Sequence, residues 1–451
     1  MTLENNTKLF ECEEYFVAFN SQNLTLKLLP KDILDYVINN TNDHQDKVLT
    51  LSSHDNPLMH FNNTISNNVI KESINPTIDE KPTIDRLTLN VSNTCNMACR
   101  YCYANKGVYY STGLYMNQVT ALNAVNFASK TFSRINYVDF FGGEPTLNLP
   151  IIEMICNYIN FLYDRGILSI LPKFGLTTNC FNVSAHLLRL LSEYNFNITI
   201  SLDGPKEIHD LLRITKDNRG TYDNIVENIK KITSIGIVPE FECTYTNEHY
   251  RRGFSLTELM DFFYDTFECH VLHCPIVIAN PNSPWFISHT NAVNLYTDAI
   301  KYSVENLTRG IPKSISIATR FLHSLESHTP ICHYCPAGKS SFTINADGKI
   351  FPCFMLMYDN RFECGNVNDE SIECFNEQLY DPIIEDADKL QNPICQDCWG
   401  QSLCFGCLGE DLAQGQRMIN RSVIPFQSTL CDFKRSMMET FLLTIVESYL
   451  Q

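Results

Sequence analysis

The sequence predicts an α/β protein whose largest part is a parallel sheet with crossover helices. Strand and helix patterns alternate between residues 84 and 310 with a repeat of about forty residues, the rhythm of successive βα units. Six such units fit, too few for a full eight-stranded barrel. The third observation concerns the cysteines, which gather at 95–102 and again at 332–431. Clusters of this kind in a chain without secretion signals are better explained by metal than by disulfides.

Composition narrows the function classes. The 451 residues carry 34 basic and 51 acidic side chains, a net charge of −17, which argues against a nucleic-acid partner. The N-terminal Met-Thr-Leu-Glu-Asn-Asn lacks a basic stretch followed by an apolar run, so no signal peptide is expected. No apolar run reaches the roughly 18 to 20 residues of a membrane span. A cytoplasmic protein without a membrane partner is expected.

Residues 1–83 read as a small leading domain. Tyr15, Val17 and Phe19 alternate, Asn20-Ser21-Gln22-Asn23 turns the chain, and Leu24, Leu26 and Leu28 alternate again, which predicts a hairpin. Pro30 then opens a predicted helix with Ile33, Leu34, Val37 and Ile38 on one face, ended by Asn39-Asn40. The polar, Asn-rich stretch to Pro82 includes a linker.

Residues 84–310 hold the repeating units. Strands are predicted at 84–91, 135–141, 173–178, 196–202, 237–245 and 271–278, and helices at about 117–132, 150–164, 184–194, 222–234, 256–267 and 291–307. The first strand, with Leu87, Leu89 and Val91 alternating, runs into Cys95-Asn-Met-Ala-Cys99-Arg-Tyr-Cys102-Tyr103. Three thiolates on one tight loop can hold an iron-sulfur cubane and leave one iron open to a small ligand. A structural zinc loop or three unrelated thiols is the alternative on these residues alone. The second strand, Val138-Asp139-Phe140-Phe141, ends in Gly142-Gly143-Glu144-Pro145. Two glycines there let backbone approach a ligand, and Glu144 offers an acceptor for an ammonium group.

The loop C-x3-C-x2-C with an aromatic before its last cysteine, followed by G-G-E-P, resembles the radical S-adenosylmethionine (radical SAM) superfamily. The resemblance implies a partial (β/α)6 barrel and a [4Fe–4S] cluster on Cys95, Cys99 and Cys102. It also implies that the open iron chelates the amino and carboxyl groups of SAM, which is cleaved to a 5'-deoxyadenosyl radical. SAM-binding roles follow by resemblance for Tyr101, Gly142, Gly143 and Glu144. They follow too for Ser201 and Asp203 of the Ser201-Leu202-Asp203-Gly204 segment, and for Arg213 after it. His209 is assigned a structural role, and Glu242 on the fifth strand is placed toward the barrel mouth. Cys156, Cys180, Cys243, Cys269 and Cys274 are expected to be buried small side chains.

Residues 311–451 carry the second thiol group. Cys332 and Cys335 precede a segment in which Asp347-Gly348 lies between alternating apolar residues, a hairpin signal that returns Cys353 toward Cys335. Cys395, Cys398, Cys404, Cys407 and Cys431 follow, and a closing helix carries Met437, Phe441, Leu442, Ile445 and Leu450. So little apolar core accompanies these loops that metal must supply part of their folding energy, zinc and iron both being open on the residues alone. The pattern resembles the seven-cysteine SPASM extension, which binds two auxiliary iron-sulfur clusters. By that resemblance Cys335, Cys353 and Cys407 hold the first, with Cys332 as fourth ligand or with one iron open, and Cys395, Cys398, Cys404 and Cys431 hold the second. Only Phe405-Gly406 separate Cys404 from Cys407, where the family has three residues. Cys364 and Cys374 are expected to be buried.

SPASM enzymes mostly modify peptides. The expected function is installation of thioether links, cysteine sulfur to carbon, in a ribosomally made precursor peptide. The leading domain resembles the winged-helix recognition elements that add a leader peptide to a sheet edge. Carbon-carbon crosslinking and formylglycine formation in a sulfatase are the alternatives; an electron carrier ranks last, having no use for an open iron. The resemblance implies three [4Fe–4S] clusters, SAM and an electron donor such as flavodoxin or ferredoxin, in an anaerobic or facultatively anaerobic cell.

Overall fold

The computed structural model describes residues 2–3, 7–12, 15–31, 49–50, 82–109, 113–357, 359–369, 389, 392–409, 418–419, 422–423 and 428–450. The chain opens with β1 (Thr2–Leu3), β2 (Thr7–Cys12), β3 (Tyr15–Asn20), β4 (Thr25–Pro30) and β5 (Leu49–Thr50), an antiparallel sheet in that order. The predicted hairpin is β3–β4. Its turn forms because the Asn20 side chain accepts from the backbone N–H groups of Gln22 and Asn23, at 3.0 and 3.2 Å. Strand β2 was not expected, although its Leu9 and Phe10 are buried, as are the hairpin's Val17 and Phe19. The predicted helix carrying Ile33, Leu34, Val37 and Ile38 lies outside the described residues, as does nearly all of the predicted linker.

Strand β6 (Thr83–Ser92) begins the main sheet, and α1 (Gln118–Thr131) crosses to β7 (Arg134–Gly142). The pattern continues through α2 (Leu149–Asp164), β8 (Lys173–Thr178), α3 (Ala185–Glu193) and β9 (Asn197–Ser201). Helices α4 (Lys206–Leu212) and α5 (Tyr222–Thr233) lead to β10 (Glu240–Glu242). Strands β6 to β10 pair in parallel, each with the next. Helices start where side chains cap them: Asn117 accepts from the Thr120 N–H, and Ser184 from the Leu187 N–H. Leu87, Leu89, Val91, Val138 and Phe140 are buried, and so are Thr88 and Asn90, because both faces of the sheet are covered.

The last unit departs from expectation. After α6 (Asn247–Arg251) and α7 (Leu256–Phe267), the strand predicted at 271–278 is regular only over β11 (Val271–Leu272). It continues as isolated parallel bridges, Glu242 to His273 and Tyr245 to Ile276. Pro239 and Pro275 bring no N–H to the ladder, which shortens both predicted strands. Helix α8 (His289–Thr308) follows, then β12 (Ser314–Ile315), parallel to β11, and α9 (Ser316–Ser327).

The Asp347-Gly348 hairpin forms as predicted, from β13 (Ser341–Ile344) and β14 (Lys349–Phe351), with Gly348 at φ +87°. Its position was not predicted: β13 pairs in parallel with β6, Phe342 opposite Leu87, so the hairpin and β15 (Gly365–Asn366) extend the main sheet on its other edge. Beyond α10 (Pro393–Gln396), β16 (Met418–Ile419) and β17 (Ser422–Val423), the closing helix α11 (Ser428–Leu450) packs on α8. Met437, Phe441 and Leu442 are buried as expected, while Leu450 at the helix end is exposed. The N-terminal sheet docks here too. Trp399 meets Phe10 edge-on at 5.0 Å and Phe19 at 6.2 Å, and the Ser402 hydroxyl donates to the Ser21 carbonyl.

Candidate active site

Strand β6 feeds directly into the three-cysteine loop. Backbone bonds tie the loop to the segment after α4: Ala98 N–H to the Ile214 carbonyl at 2.8 Å and Arg100 N–H to the Leu212 carbonyl at 2.9 Å. Burial is the main cause that pushes the Cys95 thiol up to about 11 and the Cys99 thiol up to about 12. Thiolates at such positions need a bound cation to offset the cost of desolvation.

The two glycines line the cavity over the strand ends, as expected of backbone that approaches a ligand, and they have a second purpose. A Cβ on Gly143 would lie 2.4 Å from the Thr94 carbonyl oxygen, and one on Gly142, which sits at φ +143°, would lie 2.3 Å from that of Ser92. Both therefore let β7 close against the cysteine loop, where Gly143 N–H reaches Ser92 and Glu144 N–H reaches Thr94. The Glu144 carboxylate is buried and already engaged. One oxygen accepts from the Thr146 N–H and hydroxyl and the Thr178 hydroxyl (3.1, 2.6 and 2.7 Å), the other from the Asn179 N–H at 2.8 Å. Burial raises its pKa despite these donors. One lone pair on the second oxygen remains for a ligand.

Asp203 stands behind the site rather than in it. It is fully buried, with one carboxylate oxygen 2.7 Å from the Tyr101 hydroxyl and the other 3.0 Å from Arg213 Nε and 3.2 Å from the Thr244 N–H. Burial alone would push its carboxyl up. The Arg213 charge, with smaller help from His209, His249 and the Tyr101 hydroxyl, holds it below the usual range. Asp203 thus positions Tyr101 and Arg213, whose guanidinium lies 5.6 Å from the Tyr101 ring centre.

His209 is structural, as expected: its Nδ1 accepts from the Asp203 N–H at 3.2 Å and its Nε2 meets the Thr221 hydroxyl at 2.9 Å. Burial lowers its pKa to about 4. A neutral histidine in the fold means that its stabilising contribution is full above about pH 6.5 and is lost as pH falls toward about 4. Between about pH 7 and about pH 5 the wild type is expected to lose on the order of 2 kcal/mol more than His209→Asn, measured by denaturant midpoints. Equal losses in both proteins would remove His209 from this role.

A cavity of about 590 Å³ opens over the C-terminal ends of the strands. Cys95, Cys99, Tyr101 and Cys102 line it on the loop side, and Gly142, Gly143, Glu144, Ser201 and Arg213 line it from the strands. Glu242, anticipated at the barrel mouth, is there with Thr244. The far wall was not anticipated: Tyr109, His273 and Phe354 line it, and so does the segment Phe405-Gly406-Cys407. Sequence gave no sign that residues three hundred apart share one cavity; the pairing of β13 with β6 brings them together.

The later cysteines fall into groups. Cys395, Cys398, Cys404 and Cys431 line one small cavity with Lys389, whose ammonium donates to the carbonyls of Gln401 and Cys404. Burial pushes Cys395 up to about 12 and Cys431 up to about 11. Cys335 and Cys353 interact electrostatically and flank an apolar cluster that also carries Cys102. Cys407 joins that side because the Gly406 N–H bonds to the Tyr334 carbonyl at 2.9 Å; a Cβ on Gly406 would overlap the Tyr334 ring. Cys332 is exposed and, like Cys404 and Cys395, acts on Lys389, so it stands beside the second group. Cys156, Cys180, Cys243, Cys269, Cys274 and Cys364 are buried as expected, and Cys374 lies outside the described residues.

The model of the radical SAM superfamily matches residues 89–261, which span the cysteine loop, Gly142-Gly143-Glu144 and Arg213. That of the SPASM iron-sulfur cluster-binding domain matches 335–399. The chain is a radical SAM enzyme with a SPASM domain. It is similar to the cysteine-type anaerobic sulfatase-maturating enzyme of Clostridium novyi (strain NT), 26% identical over 342 residues, 70% of this chain and 85% of that one. The radical SAM fold extends to solved structures. One is native anSMEcpe with bound AdoMet and Cp18Cys peptide (TM-score 0.65, 18% identity, 80% of this chain and 98% of that one). Another is Streptococcus suis SuiB (TM-score 0.53, 14% identity, 95% and 99%).

The two domains imply a SAM-binding [4Fe–4S] cluster and auxiliary clusters. The side chains suit them. The three loop thiols line one cavity, and a buried donor beside them, Asn96 Nδ2, has no hydrogen bond among the described residues. A donor left in this state suits an anionic ligand group. No group of three or more described His, Cys, Asp or Glu side chains is arranged to hold a single metal ion. Among the described residues, no helix is long and apolar enough to cross a membrane.

Proposed function

We propose that this enzyme is a peptide maturase that forms thioether links between cysteine sulfur and carbon in a ribosomally made precursor peptide. The observation that carries the proposal is the shared cavity, lined by Cys95, Cys99 and Cys102 on one side and by Cys407 on the other. At about 590 Å³ it falls in the range that encloses small molecules, and it leaves an apolar wall beyond the SAM-side residues. Cys95, Cys99 and Cys102 would hold a [4Fe–4S] cluster, which with SAM would supply the radical chemistry that takes a hydrogen atom from carbon.

The chain's own residues then have distinct tasks. Glu144, with its remaining lone pair, receives the SAM ammonium, and Arg213 with Tyr101 and Ser201 orients the rest of the molecule. Gly142 and Gly143 keep β7 close enough for this, while Asp203 fixes Arg213. Cys335, Cys353 and Cys407 would hold one auxiliary cluster, with Cys332 outside that set, and Cys395, Cys398, Cys404 and Cys431 would hold the other. Each bond removes two hydrogens from the peptide, one as an atom from carbon and the other as the thiol proton, and the one electron left over would pass to an auxiliary iron-sulfur cluster held by Cys335, Cys353 and Cys407. Flavodoxin or ferredoxin in the cytoplasm would supply reducing electrons. The N-terminal sheet, residues 1–83 with its linker, would take a leader peptide as an added strand.

A second reading, formylglycine formation, is supported by the long alignment with the Clostridium novyi enzyme. Mass spectrometry of cysteine-containing peptides encoded near this gene, after anaerobic incubation with SAM and reductant, separates the two. Loss of two hydrogens per site with thiols resistant to alkylation is the expected result. Loss of two hydrogens with alkylatable thiols would indicate carbon-carbon linkage, and an aldehyde trapped by hydrazine would favour the formylglycine reading.

A further inference from the structure

One end of the cavity is built differently from the rest. The Phe405 ring is held against Phe321, centres 5.6 Å apart, and its position is fixed by the Gly406 contact with Tyr334. Arg320 stacks on it, with its guanidinium carbon 3.9 Å from the ring centre, and Lys434 Nζ lies 5.8 Å from the same centre. All three residues line the cavity. Stacking occupies the face of a guanidinium and leaves its in-plane N–H groups able to grip a carboxylate through two parallel bonds.

Among the described residues, neither cation has a carboxylate partner. Neither Arg320 nor Lys434 forms an ion pair with a described carboxylate, although the chain has 51 acidic side chains against 34 basic ones; Arg320 does interact electrostatically with the Cys335 thiol. The two carboxylates that line the cavity do not serve: Glu144 is engaged by Thr146, Thr178 and Asn179, and Glu242 makes no ion pair with either cation. Elsewhere the wall is apolar, with Ile276, Val277, Ile315, Met355 and Phe433. Two cations without a described carboxylate partner thus stand at one end of a mostly apolar pocket, Arg320 beside the Cys335 thiol and Lys434 also lining the small cavity of Cys395, Cys398, Cys404 and Cys431. Both keep N–H donors for an anion that arrives with the ligand.

We infer that Arg320 and Lys434, supported on Phe405, form a carboxylate-binding subsite that seats an acidic group of the substrate beside Cys407. This rests on the peptide reading of the same cavity. The group is either an acidic side chain near the modified residue or the peptide's C-terminal carboxylate. In either case the substrate would be held at its anionic end, with its apolar part along the wall toward the Cys95–Cys102 loop.

The test uses anaerobically loaded full-length enzyme with SAM and compares three probes by titration calorimetry. These are acetyl-Gly-Glu-Gly-amide, acetyl-Gly-Gln-Gly-amide and acetyl-Gly-Gln-Gly with a free carboxyl group. A carboxylate-bearing probe is expected to bind about tenfold tighter than the neutral one, and the doubly substituted Arg320→Gln, Lys434→Gln enzyme should lose that preference. Preference for the Glu amide assigns the subsite to a side chain, and preference for the free acid to a peptide terminus. Arg320→Lys, which keeps the charge, should retain part of the preference, and unchanged iron content would show that the variants are folded. No preference in the wild type, or the same preference in the double variant, would overturn the subsite. Glutarate against glutaramide separates this from the peptide reading: if the double variant loses glutarate binding while no peptide binds, the subsite stands and the peptide reading fails.

Discussion

Asp203→Ala is expected to destabilise the protein by roughly 3–5 kcal/mol, the cost of leaving a buried cation without its partner. Arg213 is only 7% exposed, and its Nε lies 3.0 Å from the lost carboxylate, so little water can replace it. The Tyr101 hydroxyl and the Thr244 N–H lose an acceptor in the same step. Both Tyr101 and Arg213 line the cavity, so SAM affinity should fall together with thermal stability. Asp203→Asn keeps two of the hydrogen-bonding positions and should fall between the two. The sign with pH follows from the lowered carboxyl pKa: the contribution of Asp203 is full above about pH 3.9 and is lost as pH falls through the folded-state value. Thermal unfolding and SAM titration of the variant check both effects, and a variant as stable as wild type would show that Arg213 is compensated elsewhere.

Cys99→Ala is expected to remove the cluster of the loop and to leave the later thiol groups loaded. Cys99 belongs to the set that shares the large cavity, whereas Cys395, Cys398, Cys404 and Cys431 surround a separate small one. Iron content should therefore drop by about a third, four irons of about twelve. A loss of all iron would mean that the thiol groups fold as one unit.

Much of this site was legible in the sequence, and the reasons differ by residue. The Cys95–Cys102 loop and Gly142-Gly143-Glu144 are local: each motif sits at the end of a strand whose alternation or apolar run is plain, and the fold brings those strand ends together by pairing β6 with β7. The second purpose of the glycines was less legible, because the Thr94 and Ser92 carbonyls they accommodate come from another strand's loop. Asp203 was recognised as part of the site, yet its place behind Arg213 depends on burial and on Thr244, which no local pattern records. The shortened strands at 240 and 271 could have been anticipated from Pro239 and Pro275. The wall formed by Phe405, Cys407, Arg320 and Lys434 had no sequence signal, since it exists only through the packing of the C-terminal region across the barrel mouth. Strand β13 carries that effect: four residues, Ser341–Ile344, pair with Arg86–Leu89 and set the second thiol region beside the first.

The most direct measurement is anaerobic formation of 5'-deoxyadenosine from SAM by the fully loaded wild-type protein and by Cys99→Ala. The wild type is expected to release 5'-deoxyadenosine under reducing conditions, and Cys99→Ala to release none while keeping its other iron. A loaded wild type that leaves SAM intact, or a Cys99→Ala protein that cleaves it equally well, would contradict the assignment of the Cys95, Cys99 and Cys102 loop as the centre of this enzyme's chemistry.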